Sequence, residues 1–197
     1  RMYGVLESYI MRRMVVHAST KNYNNLFTSL ILNSVLDADS LRTRLKSGND
    51  VTTYIPDDDE LRSGFEKSKL VNQQSRGVIY LIESRIRPEN SSTALLGFNN
   101  YSLEHMMPKK WRNNWSPCES EEDEKKRDTL LMTLGNLAII PQALNASIRD
   151  ENWKIKKAGK GNKLGLDICA AGLITVHNAL QKEEWTEIDI KERSAWL

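Results

Sequence analysis

The stretch YSLEHMMP, residues 101 to 108, sets a carboxylate beside one of three histidines in this 197-residue chain. An imidazole with an ordinary pKa of ~6.5 is largely neutral at pH 7, so His105 can take a proton from water without special tuning. Glu104 offers a hard oxygen donor of the kind magnesium and manganese prefer. A hydrated ion of that kind can stabilise charge developing on a phosphate and its leaving oxygen. Neighbouring side chains on a strand point to opposite faces, so the two residues can cooperate only at a strand end, where the backbone turns into a loop. Taken alone the pair has a plainer reading: a strand-end histidine with a satisfied ring, and a surface glutamate paired with Lys109 or Lys110.

The elements around the pair suit the sharper reading. NYSLEHMM alternates, with Tyr101 and Leu103 on one face, and predicts a short strand. GNLAII (135–140) predicts a second strand that stops at Pro141. Between them, 116–134 is a long acidic and basic stretch, loop or helix. Residues 142–159 read as one helix that Gly159 and Gly161 can end. Residues 165–180 read as another, and 185–197 as a last one with Thr186 as N-cap and Asp189 in a capping-box position. Before the hairpin, apolar residues recur at helical spacing near 3–18, 22–36, 40–48, 58–70 and 75–87. Asn22 and Asp57 are candidate caps, and Pro88 disfavours helix beyond Arg87. The mildly polar 88–100 stretch is the best boundary, giving a helical subdomain, 1–90, and a second, 91–197. The fold class expected is mainly α with a small β-hairpin (α+β).

Composition bounds the rest. With 40% apolar and 27% charged residues, the chain has no uncharged apolar run near the ~20 residues of a membrane span. The first residues lack a signal-peptide core, and position 1 is not methionine, as expected of a chain cut from a longer protein. Cys118 and Cys169 form no CxxC pair, which argues against a disulfide framework or zinc knuckle and for a reducing cytoplasm. The formal charge of +2 averages over segregated blocks: acidic 56–60 and 119–124, basic 109–112 and 154–163. Beside a phosphate-handling site, the basic blocks can bind a nucleic-acid backbone without reading bases. His17 and His177 fall in helical patterns and read as ordinary helix residues.

LEHMMP, followed by LGNLAIIPQALNASI, NWKIKK and EEWTEIDIKER, resembles the HNH (His-Me finger) nuclease domain at the C-terminal end of GmrSD-type, modification-dependent (type IV) restriction enzymes. The ordered set carries the likeness: acid-His-x-x-Pro, Gly-Asn-Leu, a downstream Asn, then an aromatic followed by Lys. Departures are Met106, where isoleucine is common, and KKW after the proline.

The resemblance implies a ββα-metal (HNH) finger in 91–197, with C-terminal helices after it, acting as a DNA endonuclease. His105 would be the general base for in-line attack on a phosphodiester. Glu104 and Asn145 would bind one divalent cation, Mg2+ or Mn2+. Asn136 would support the hairpin and orient His105 through a ring nitrogen, and Lys156 would contact the phosphate. Lys109, Lys110, Arg149, Lys154, Lys157, Lys160 and Lys163 would hold double-stranded DNA. An N-terminal NTPase domain of the parent protein is implied as a partner, and no membrane is. The competing class is a helical DNA-binding or interaction module that keeps the fold without turnover.

Overall fold

The computed structural model describes residues 1–48, 50–91, 93–142 and 149–197. Two compact units divide them, Arg1–Gly64 and Phe65–Leu197.

The first unit is built from α1 (Met2–Val15), α2 (Tyr23–Leu32), α3 (Ala38–Lys46) and the start of α4 (Asp58–Lys67). The four-residue spacing of Val5, Tyr9 and Arg13 on α1 puts them on one buried face, and Val5 and Tyr9 pack with Leu30, Leu41 and Leu45. Arg13 is fully buried, yet its guanidinium donates to the carbonyls of Ser19, Thr52 and Tyr54 and lies against the rings of Tyr9, Tyr23 and Tyr54. It ties the loop after α3 to α1. Asp57 caps α4 as the sequence predicts, accepting from the Glu60 amide while the Glu60 carboxylate accepts from its own.

The second unit centres on an antiparallel pair, β1 (Tyr101–His105) and β2 (Leu137–Pro141), in register from Tyr101↔Pro141 to His105↔Leu137. β2 is buried on both faces from Leu137 to Ile140. The helix α5 (Asn72–Ile86) packs on both strands through an apolar face that includes Val78 and Ile79. The helix α6 (Glu121–Leu130) fills the long connection, its acidic first turn facing its own positive end.

After β2 the chain departs from the expected long helices. Arg149 adopts a positive φ of 29°, and the Asn152 side chain accepts from the Ile155 amide, which starts a new helix, α7 (Trp153–Ala158). Gly159 and Gly161, at φ 90° and 60°, then shape a small hairpin, β3 (Gly159–Lys160) with β4 (Lys163–Leu164), that periodicity does not reveal. The stretch expected as one helix from 165 to 180 is two, α8 (Leu166–Cys169) and α9 (Ile174–Leu180). The buried carboxylate of Glu83 on α5 accepts from the amides of Ile174 and Thr175. A distant side chain thus satisfies the free amides of a helix start in the middle of the run. α10 (Glu187–Trp196) begins with the expected Thr186–Asp189 capping box. The described residues are mainly helical with small two-stranded sheets. None of their helices is long and apolar enough to cross a membrane.

Candidate active site

Glu104 and His105 close β1, opposite Ala138 and Leu137. The turn that follows them is fixed by Asn136. Its carbonyl accepts from the Met106 amide, and its side-chain oxygen accepts from the Met107 amide at 2.8 Å and from the Trp185 indole at 3.1 Å. Its amide nitrogen donates to the carbonyls of Met107 and Leu131. Two donors and two acceptor positions are thereby used, so the side chain has nothing left for an imidazole. Asn136 contacts the backbone of 106–107, next to His105, and not a ring nitrogen of His105.

Gly135 lets this turn press against α10, since a Cβ there would run into the Ile190 carbonyl and the Ser194 hydroxyl. From the same helix, the buried guanidinium of Arg193 donates to the carbonyls of Leu134, Gly135 and Leu137. The C-terminal helix therefore sets the geometry of a turn more than fifty residues earlier in the chain.

On α7, Lys156 is 0% exposed, and its amine donates to the carboxylate of Glu104 and, at 2.7 Å, to the carbonyl of His105. Glu104 itself is 5% exposed. Burial pushes the Glu104 pKa up and the Lys156 pKa down, each opposed by the charge of the other. The Lys156 side chain is thus turned inward, onto the acid, and not outward to solvent. The imidazole of His105 is held at about pKa 4 by burial and by the charges of Lys109 and Lys156. Its Nε2 is buried and has no hydrogen-bond partner among the described residues. An unpaired ring nitrogen that is neutral at pH 7 is free to accept a proton.

Residues 55–197 match the family model described as GmrSD restriction endonucleases, C-terminal domain. The chain belongs to this family. No curated protein and no solved structure matches it. Membership gives the chain a restriction-endonuclease-related role, with nuclease activity and defence as its setting and DNA as the implied substrate.

In this GmrSD C-terminal domain, four of the five central residues meet around one strand end: Glu104, His105, Asn136 and Lys156. The fifth, Asn145, lies outside the described residues. Of the basic residues, Lys109, Lys110, Arg149, Lys154, Lys160 and Lys163 are exposed. Lys160 pairs with Glu151, and Lys157 is partly covered and donates to the Lys182 carbonyl. His177 sits exposed on α9, while His17 falls just past α1 with φ 55°.

Trp185 and Arg193, which the motif's EEWTEIDIKER ending contains without telling their task, hold Asn136 and its turn from far down the chain. Asp150 is a second carboxylate whose charge acts on Lys156; it is itself held low by a hydrogen bond from Asn113. No local sequence pattern marks it.

Proposed function

We propose that this domain is a metal-dependent DNA endonuclease of the HNH type, the cutting effector of an anti-phage, modification-dependent restriction protein acting in the cytoplasm. In this reading the ββα-metal finger lies within 91–197 with β1 and β2 as its strands, and an NTPase domain in the parent protein gates it. The observation that carries the reading is the meeting of the Glu104 carboxylate, the main chain of His105 and the amine of Lys156 at one strand end, with the His105 Nε2 unpaired among the described residues.

The donor set fits a small hard cation. Magnesium keeps several of its waters and needs only one or two protein oxygens besides the substrate's, so one carboxylate, with a side-chain amide beside it, is enough. Glu104 would hold the cation, with Asn145, which lies outside the described residues, as the second ligand the resemblance implies; an amide oxygen favours magnesium or manganese over zinc. When bound, the cation stabilises charge on the scissile phosphate and its leaving oxygen.

The chain's own residues do the rest. His105 takes the proton of the attacking water through Nε2. Burial, with the charges of Lys109 and Lys156 behind it, makes the ring a weak base on its own; a phosphate beside Lys109 would offset the charge part of that depression and raise its basicity. Lys156 fixes the carboxylate of Glu104 and the carbonyl of His105 in one arrangement, acting as a positioning residue. Lys109, Lys110, Arg149, Lys154, Lys157, Lys160 and Lys163 bind the duplex backbone.

Nicking of supercoiled plasmid, modified and unmodified, with magnesium or manganese tests this. Wild type should nick, and Glu104→Gln should lose at least about a hundredfold, the usual scale for one lost electrostatic contributor. Equal rates with chelator, or in Glu104→Gln, would sink the metal-dependent reading.

A further inference from the structure

Lys156 poses a problem for the site just described. Its ammonium is fully buried and shares the Glu104 carboxylate that the cation needs. The Trp153 and Trp185 rings pack 5.5 Å apart and hold α7 against the turn before α10, so Lys156 is presented to Glu104 by a supported helix. Besides Glu104, the charge of Asp150 is felt there, while Lys109 adds positive charge around His105.

We propose that Lys156 is an electrostatic latch on Glu104 that makes divalent-cation binding conditional on the arrival of a DNA phosphate. The inference rests on the endonuclease reading and concerns regulation of the same site. A divalent ion on Glu104 stands within a carboxylate's width of an ammonium, in surroundings where little water screens the repulsion. The carboxylate, the ammonium and the ion together carry two net positive charges. A phosphodiester adds a negative charge at that spot, so ion and DNA each make room for the other. The coupling is reciprocal: if DNA tightens the ion, the ion tightens DNA by the same factor. The domain therefore holds its ion weakly until a duplex is seated.

Manganese affinity, read by calorimetry and by the electron paramagnetic signal of the free ion, tests the latch without reference to activity. All arms carry His105→Ala to prevent turnover, which leaves the backbone carbonyl that Lys156 contacts in place. Measurements are made alone and with a short duplex at low salt. The parent should bind manganese at least about tenfold more tightly with DNA than without. Lys156→Gln, which keeps a hydrogen-bond donor but no charge, should gain at least about tenfold without DNA and lose most of the DNA effect. Lys156→Met serves as the second uncharged variant, with a thermal melt showing that each is folded. Equal affinity of the parent with and without DNA overturns the latch, and so does a folded uncharged variant that gains nothing. Glu104→Gln separates the two readings. If it binds manganese as the parent does in every arm, the metal site itself is wrong. If it loses manganese while the Lys156 variants gain nothing, only the latch fails.

Discussion

The amine of Lys156 bridges two successive residues of β1, donating to the side chain of Glu104 and, at 2.7 Å, to the main chain of His105. One cation on α7 therefore fixes both the Glu104 carboxylate and the backbone that carries His105.

Removing that cation should be costly. Lys156→Ala leaves a carboxylate buried without its partner and should lower unfolding free energy by about 3–5 kcal/mol. Pairing Lys156→Met with Glu104→Gln removes both charges and should recover much of the loss. Urea unfolding of the single and double variants checks this; a double variant no more stable than Lys156→Ala would mean that packing, not charge, is what Lys156 supplies.

Asn136 should matter to the fold before it matters to chemistry. Asn136→Ala strips partners from the Met107 amide, the carbonyls of Met107 and Leu131, and the Trp185 indole. A loss of about 2–4 kcal/mol is expected, since each buried group left unpaired costs about 1–3 kcal/mol and water recovers part. The near-ultraviolet circular dichroism of Trp185 should change with it. A variant that keeps full stability would show that the turn is held from α10 alone.

His105 should titrate well below an ordinary histidine. With its folded pKa near about 4, the folded protein binds fewer protons than the unfolded chain between that value and ~6.5. Stability contributed by the neutral ring is complete above the upper value and lost as pH falls through the window, on the order of 3 kcal/mol in all. Proton-resonance titration of the His105 ring gives the midpoint directly. A value at or above 6.5 would remove the buried, cation-surrounded environment assigned to it.

DNA binding should weaken with salt, and unequally among the lysines. Lys163→Ala, at an exposed position on β4, should reduce the slope of log affinity against log salt by about 0.9, one phosphate's worth. Lys157→Ala should do less, because its amine is already engaged by the Lys182 carbonyl. Fluorescence anisotropy over a salt series distinguishes them; identical slopes for Lys163→Ala and wild type would take β4 off the DNA.

Local signals carried most of the element pattern, including the two strands expected over 100–107 and 135–140 and found at Tyr101–His105 and Leu137–Pro141, and the caps at Asp57 and Thr186. They failed where a distant side chain intervened. Periodicity runs on through 165–180, but the Glu83 carboxylate caps a second helix inside it. At the site, Glu104 and His105 were legible because their types and adjacency suggest chemistry, and Asn136 and Lys156 through the ordered motif. What those two touch was not legible: an amide and an amine look alike in sequence whether they face a ring, a phosphate or a buried carboxylate. Arg193 and Trp185 were marked by the EEWTEIDIKER ending of the motif, but their contacts were not, since these are set by the tertiary approach of α10.

The central claim is that His105 activates water for phosphodiester cleavage, and chemical rescue tests it most directly. His105→Ala should abolish metal-dependent nicking of plasmid while leaving the fold and manganese binding intact, and added imidazole should restore part of the rate in a concentration-dependent way. Nicking by His105→Ala at the wild-type rate would contradict the account.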